Sequence, residues 1–291
     1  MAKAKWFADL LAPSIGALPV TAIVPSDILA ALRKLERRGN LETAKRCLQF
    51  VGRVMRYAVA TARLDSDPSR DLKGALTAPR VKHHAAILDP IKLGELLRAI
   101  DGYSGDSITR LALQLAPHVF VRPGELRQVR WEELDLKAAI WTIPAEKTKM
   151  RRPHAVPMSG QALAIFTTLV EITGGEDGFC GFVFPSLRTR IRPMSENTIN
   201  AALRRLGYSG DEMTAHGFRA TASTLLNECG KWNADAIERA LAHGHSDATR
   251  STYARGQHWE ERVNMAQWWS DYLDTLRKGA EIVRFPEREA R

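Results

Sequence analysis

Between Thr77 and Ile87 the chain carries Pro79, Arg80, Lys82, His83 and His84 but no apolar repeat, while patterned sequence lies on both sides. A stretch with so little to bury does not join its neighbours into one core, so it reads as an interdomain linker and imposes a two-unit fold. The expected division is a first unit over residues 1–78, a linker over 79–88, a second unit over 89–277 and a charged, loosely held tail over 278–291. The first unit is helical by its pattern. Ser26-Asp27 offers an N-cap ahead of Ile28 to Leu32, and Gly39 offers the stop. From Leu41 to Arg63, Ala44, Leu48, Val51, Met55, Ala58 and Val59 recur at helical spacing, and the helix is expected to end near Asp67-Pro68. Arg46, Arg53, Arg56 and Arg63 lie between those apolar positions, so one face packs and the other is basic.

The second unit is mixed. Asp89-Pro90 starts a helix that Gly102 closes, and another runs from Ile108 to Val119, ended around Pro117. Ala139 to Ile143 and His154 to Pro157 read as short strands joined by a polar hairpin, Glu146 to Arg152. Further helices are expected near 160–172, 195–206, 214–228, 233–242, 246–254 and 259–277, the last of them internal packing around Trp268 and Trp269. The fold class is therefore mainly α with a small antiparallel β-sheet (α+β).

Charge says which partner to look for and where. The net charge is +9, with 14 Lys+Arg against 7 Asp+Glu in residues 1–80 and 28 against 26 in residues 81–291. An excess concentrated in one unit suits a polyanion engaged by that unit. The apolar run from Trp6 to Val24 is interrupted by Asp9, Pro13 and Pro19 before an h-region forms, which reads against a signal peptide there, and the expected compartment is the cytosol. Cys47, Cys180 and Cys229 are isolated and lack metal spacing, as fits a reducing compartment, and His83-His84 have no acidic or thiol partners nearby. Neither a metal nor a cofactor is expected.

Four short stretches carry chemistry: Val121-Arg122-Pro123-Gly124-Glu125-Leu126, Lys149 inside the basic hairpin, His216-Gly217-Phe218-Arg219, and His243 followed by Tyr253. Together they supply two guanidiniums, an ammonium, two imidazoles and a phenol. In-line attack on a phosphodiester spreads negative charge over the equatorial oxygens, and arginine meets that charge best, because its planar fork binds two oxygens and stays protonated. His216 and Arg219, three apart, would share one face of a helix. Glu125, one helical turn after Arg122, can brace a guanidinium or imidazole. The phenol of Tyr253, with a reference pKa of about 10, must hand its proton to a base, for which His216 is the natural acceptor. The hairpin offers four cations, Lys147, Lys149, Arg151 and Arg152.

In this order the constellation, with the wording RPGEL, MRRPHAVP, HGFR, LAH…Y and QWWSDYL, resembles the tyrosine recombinases of the phage integrase family, in particular integrases of prophages and genomic islands. The resemblance covers roughly residues 15 to 275. It implies a helical core-DNA-binding domain followed by a catalytic domain. It also implies site-specific, metal-independent cleavage and rejoining of DNA through a 3′-phosphotyrosyl intermediate, with mobile-element integration as the biological setting. Tyr253 would be the nucleophile, Arg122, Arg219 and His243 the phosphate clamp, and Glu125 a supporting group. A hairpin lysine would protonate the departing 5′ oxygen; the family's spacing to Pro157 selects Lys149, with Lys147 as a possible substitute. Arg46, Arg53, Arg56, Arg151 and Arg152 would contact backbone phosphates. Implied partners are double-stranded DNA at attachment sites, further copies of the chain in a tetramer on DNA, and an accessory DNA-bending protein, in the bacterial cytosol or nucleoid. Such integrases carry an N-terminal arm-site module, which this chain, opening at Trp6 to Leu11 inside the first core-binding helix, is expected to lack. Two rivals share these residues: a tyrosine-type (IB-like) relaxing topoisomerase, and a non-catalytic DNA-binding regulator on the same fold.

Overall fold

The computed structural model describes residues 2–79, 84–173, 181–189, 191–242 and 258–279. It separates into two compact units, Met1–His83 and His84–Arg291.

The first unit packs three helices, α1 (Ala2–Ile15), α2 (Pro25–Arg37) and α3 (Leu41–Ala60), with a 3-10 turn at Arg70–Leu72. Phe7 and Leu11 of α1 meet Ile28, Leu32 and Leu35 of α2 and Cys47, Val51 and Met55 of α3 in one core. Burial pushes the Cys47 thiol up from its ordinary pKa. Helix α2 begins earlier than the Ser26-Asp27 reading. Val24 is the N-cap and Pro25 the first helical residue, while the Asp27 carboxylate, in the first turn, accepts from the Val24 N–H at 3.2 Å. Its stop follows the expectation: Gly39, at φ 77°, lets Asn40 N–H reach Leu35 O (3.1 Å) and Gly39 N–H reach Glu36 O (2.8 Å). Helix α3 closes the same way several residues before Asp67. Ala62 takes φ 55°, and Arg63 N–H and Ala62 N–H bond Ala58 O (2.8 Å) and Val59 O (3.0 Å). No glycine marks that stop, which is why periodicity alone carried the helix too far.

The second unit contains α4 (Pro90–Asp101), α5 (Ser107–Leu115), α6 (Pro123–Arg127), β1 (Leu134–Asp135), β2 (Ile140–Ile143), β3 (His154–Pro157), α7 (Gly160–Thr173), α8 (Thr198–Arg205), α9 (Gly217–Glu228), α10 (Ala234–Ala240) and α11 (Trp259–Lys278). The strands form one antiparallel sheet in the order β1-β2-β3, with Trp141 opposite Leu134 and Val156, and Ile143 opposite His154. Trp141 and Ile143 alternate into the core, where the Trp141 ring meets Phe166 of α7 edge-on. The two-residue strand β1 is too short for an alternating pattern to reveal it.

Helix α11 is internal packing, as its sequence suggests, with Met265, Trp269, Leu273 and Leu276 buried and Trp269 Nε1 donating to Pro117 O at 2.8 Å. It lies against α4 so closely that a Cβ on Gly94 would stand 2.4 Å from Leu276 O. Arg98 of α4 seals that contact by donating to the carbonyls of Leu276 and Arg277, both at 3.2 Å. Among the described residues, no helix is long and apolar enough to cross a membrane.

Candidate active site

Arg122 is the N-cap of α6, held extended (φ −69°, ψ 147°) by the proline that follows it. One turn on, the buried Glu125 carboxylate accepts the Arg122 backbone N–H at 2.8 Å with one oxygen and the guanidinium Nη1 at 2.9 Å with the other. The acid therefore fixes both the helix start and the direction of the side chain. Arg219, only 4% exposed in the first turn of α9, donates to the carbonyls of Phe120 and Leu241. Burial, followed by the nearby Arg122 cation, lowers its pKa to about 10, so it remains a cation at neutral pH. Arg122 also donates through Nη2 to Ala242 O at 3.1 Å. Phe120 and Ala242 have φ values of 52° and 47°. Such conformations cost non-glycine residues energy and cluster at functional sites. Two guanidiniums from different elements thus close on one turn, Leu241-Ala242, which leads into His243. His243 and Tyr253 themselves lie outside the described residues.

His216 is the N-cap of α9 (φ −75°, ψ −23°), one residue before the helix instead of within it. Its ring packs on His84, with centroids 4.3 Å apart. The segment beyond His84 is tied to the same helix start: Ala85 O accepts from Thr214 N–H and Oγ1, each at 3.2 Å, and Ile87 O accepts from Thr221 Oγ1 at 2.8 Å. Gly217 permits this approach, since a Cβ there would meet Ala85 O at 2.3 Å. Ala85 and Ile87, which show no periodicity, are held by hydrogen bonds that no local pattern encodes.

The hairpin separates its two lysines by role. Lys147 Nζ pairs with the buried Glu133 carboxylate and donates to Gln128 O at 2.9 Å, while the other Glu133 oxygen accepts from Trp141 Nε1 at 3.1 Å. The single hydroxyl proton of Thr148 has Arg152 O (2.8 Å) and Ala145 O (3.1 Å) within reach, and Oγ1 accepts from Arg152 N–H (3.1 Å), closing the tip. Lys149, Arg151 and Arg152 are exposed, and Lys149 has no hydrogen-bond or ion-pair partner among the described residues. At the base of the hairpin, His154 Nε2 lies 3.2 Å from Ala240 O.

Residues 87–259 match the phage integrase family, and residues 2–75 match the phage integrase central domain. The IntB protein of Escherichia coli strain K12 is 38% identical over 93% of this chain and 70% of its own length. This chain belongs to the phage integrase family. The integrase of Enterobacteria phage P4 is 37% identical over 91% of this chain and 62% of its own length, so the chain spans between three fifths and three quarters of these two relatives. Among solved structures, a lambda integrase tetramer bound to a Holliday junction has the same fold, with TM-score 0.66, 18% identity and coverage of 85% of this chain and 72% of that one.

In the first unit of this integrase the three predicted arginines share α3 but differ in their ties. Arg46 Nε pairs with Glu42 at 2.7 Å, Arg53 lies over the Phe50 ring, and Arg56 Nη1 reaches Asp67 at 3.4 Å. All three line a groove of about 1030 Å³ together with Lys45, Arg70 and Lys73. Arg70 and Lys73 were not singled out in the sequence, and their place in a short turn past α3 gave no periodic signal. Glu133, His84 and His154 escaped for a similar reason, since each meets its partner on another element.

Proposed function

We propose that this chain is a site-specific DNA recombinase that cleaves and rejoins DNA through a covalent 3′-phosphotyrosyl intermediate, without a metal. The convergence of Arg122 and Arg219 on the turn entering the His243–Tyr253 segment carries this reading, with the exposed Lys149 on the neighbouring hairpin supporting it. The two guanidiniums supply fixed positive charge for the non-bridging oxygens as the phosphorane forms. His243 donates a further hydrogen bond there. His216 takes the phenolic proton as the Tyr253 oxygen attacks phosphorus. The bond to the 5′ oxygen breaks, and Lys149 protonates that oxygen. A 5′-hydroxyl from a partner strand then attacks the phosphotyrosyl linkage and restores the phenol. The phosphodiester energy stays in the covalent intermediate, so no nucleotide hydrolysis is required.

The groove beside α3 holds backbone phosphates, and the exposed Arg151 and Arg152 add to that contact. Recombination proceeds in a tetramer on paired attachment sites, as the lambda integrase neighbour is a tetramer on a Holliday junction. The reaction takes place on DNA in the bacterial cytosol or nucleoid. A nicked attachment-site substrate that loses its 5′-hydroxyl fragment tests the proposal. Wild-type protein is expected to form a denaturation-resistant adduct in EDTA, and Tyr253→Phe to bind the same DNA without one. Trapping by Tyr253→Phe would show that another nucleophile operates.

A further inference from the structure

We infer that His154 is a positioning residue of this site: by holding the last carbonyl of α10 it sets the turn on which both arginines close. The role rests on the strand-transfer reading above. A helix leaves its last carbonyls without intrahelical partners. At the end of α10 and in the turn just past it, the carbonyls of Ala240, Leu241 and Ala242 follow in succession, and side chains from three separate elements meet them. His154 of β3 approaches Ala240 O at 3.2 Å, Arg219 of α9 donates to Leu241 O, and Arg122 at the α6 cap donates to Ala242 O at 3.1 Å. Each arginine commits one N–H on each terminal nitrogen to the protein, Arg122 to Glu125 and Ala242 O and Arg219 to Phe120 O and Leu241 O, and keeps its remaining N–H groups for a phosphate. Their aim depends on where the turn lies.

A carbonyl oxygen can only accept, so the Nε2 of His154 must carry the proton. The ring does this while neutral: burial, followed by Arg262, lowers its pKa to about 4, and Ala240 O only partly offsets that fall. Arg262 itself donates to Ala155 O on the same strand, and Arg219 and Arg122 also act on the ring to lower its pKa. A neutral donor suits a place surrounded by three guanidiniums. A lysine there would add a fourth cation, and an apolar residue would leave Ala240 O without this donor.

The test compares His154→Leu, which keeps bulk without a donor, with His154→Gln, which restores a neutral N–H. Adduct formation is followed on the nicked substrate at saturating DNA, with affinity and thermal unfolding measured alongside. His154→Leu is expected to cleave about 100-fold more slowly at unchanged DNA affinity, the scale of a misplacement near 1 Å, and His154→Gln to recover most of the rate. A leucine variant that cleaves at the wild-type rate overturns the inference, and so does a glutamine variant as slow as the leucine one. Imidazole nitrogen NMR on the wild-type protein gives a measurement free of any folding defect: an Nε2–H tautomer at His154 is expected, and an Nδ1–H tautomer overturns the inference. Absence of an adduct from wild-type protein would instead overturn the strand-transfer reading, and this role with it.

Discussion

Under the proposed function, the arginine cluster and the lysine hairpin serve the same phosphate in opposite ways. Arg122 and Arg219 are bound on every side that faces protein: Glu125 braces one, Phe120 O and Leu241 O hold the other, and Ala242 O completes the frame. Lys149 rides on an exposed tip whose order comes from its neighbours, Lys147 on Glu133 below it and Thr148 across it. The difference fits the work the proposal gives each. Charge stabilisation gains most from groups that need not reorganise during the reaction. A proton donor must instead reach a leaving oxygen that arrives only with the substrate, so a free ammonium on a short supported arm suffices.

Removal of Arg219 should break this contrast most sharply. Arg219→Ala is expected to slow adduct formation by about 10³-fold and also to lower stability by about 2 kcal/mol, because two buried carbonyls lose their donor. Single-turnover cleavage and denaturant unfolding check the two effects together, and a rate loss without a stability loss would mean the carbonyl frame is dispensable. For Lys149→Ala the expectation is a loss of about 10²-fold in cleavage with an unchanged unfolding midpoint. A substrate whose 5′ leaving atom is sulfur needs little protonation and should restore the rate. If it does not, Lys149 is no general acid. Lys147→Ala reverses the pattern: stability falls by about 1–3 kcal/mol as the buried Glu133 loses its partner, and cleavage falls less than for Lys149→Ala. The smallest effect belongs to the first unit. Arg56→Ala should weaken binding alike on specific and unrelated DNA and reduce the salt slope by about one counterion. A salt slope that does not move would remove Arg56 from the phosphate footprint.

Periodic segments were legible before any coordinates. The apolar series along α3, the short strands of the hairpin and the proline-led start of α4 each follow from local preference. The Arg122–Glu125 pair was also readable, since one helical turn brings the two side chains together. Contacts between separate elements were not. His154 meets Ala240, Glu133 meets Lys147 and His84 meets His216 only because the fold folds back on itself, and a lone histidine or glutamate carries no mark of its distant partner. The α3 stop at Ala62 shows the local version of this limit, because an alanine took the left-handed position that usually announces itself with glycine.

The seam between Gly94 and Leu276 joins the first and last described helices of the second unit. The two helices are therefore locked side by side, and a mechanical load applied to α11 at Gly279 bears directly on α4. A bulkier residue at position 94 would pry the two apart.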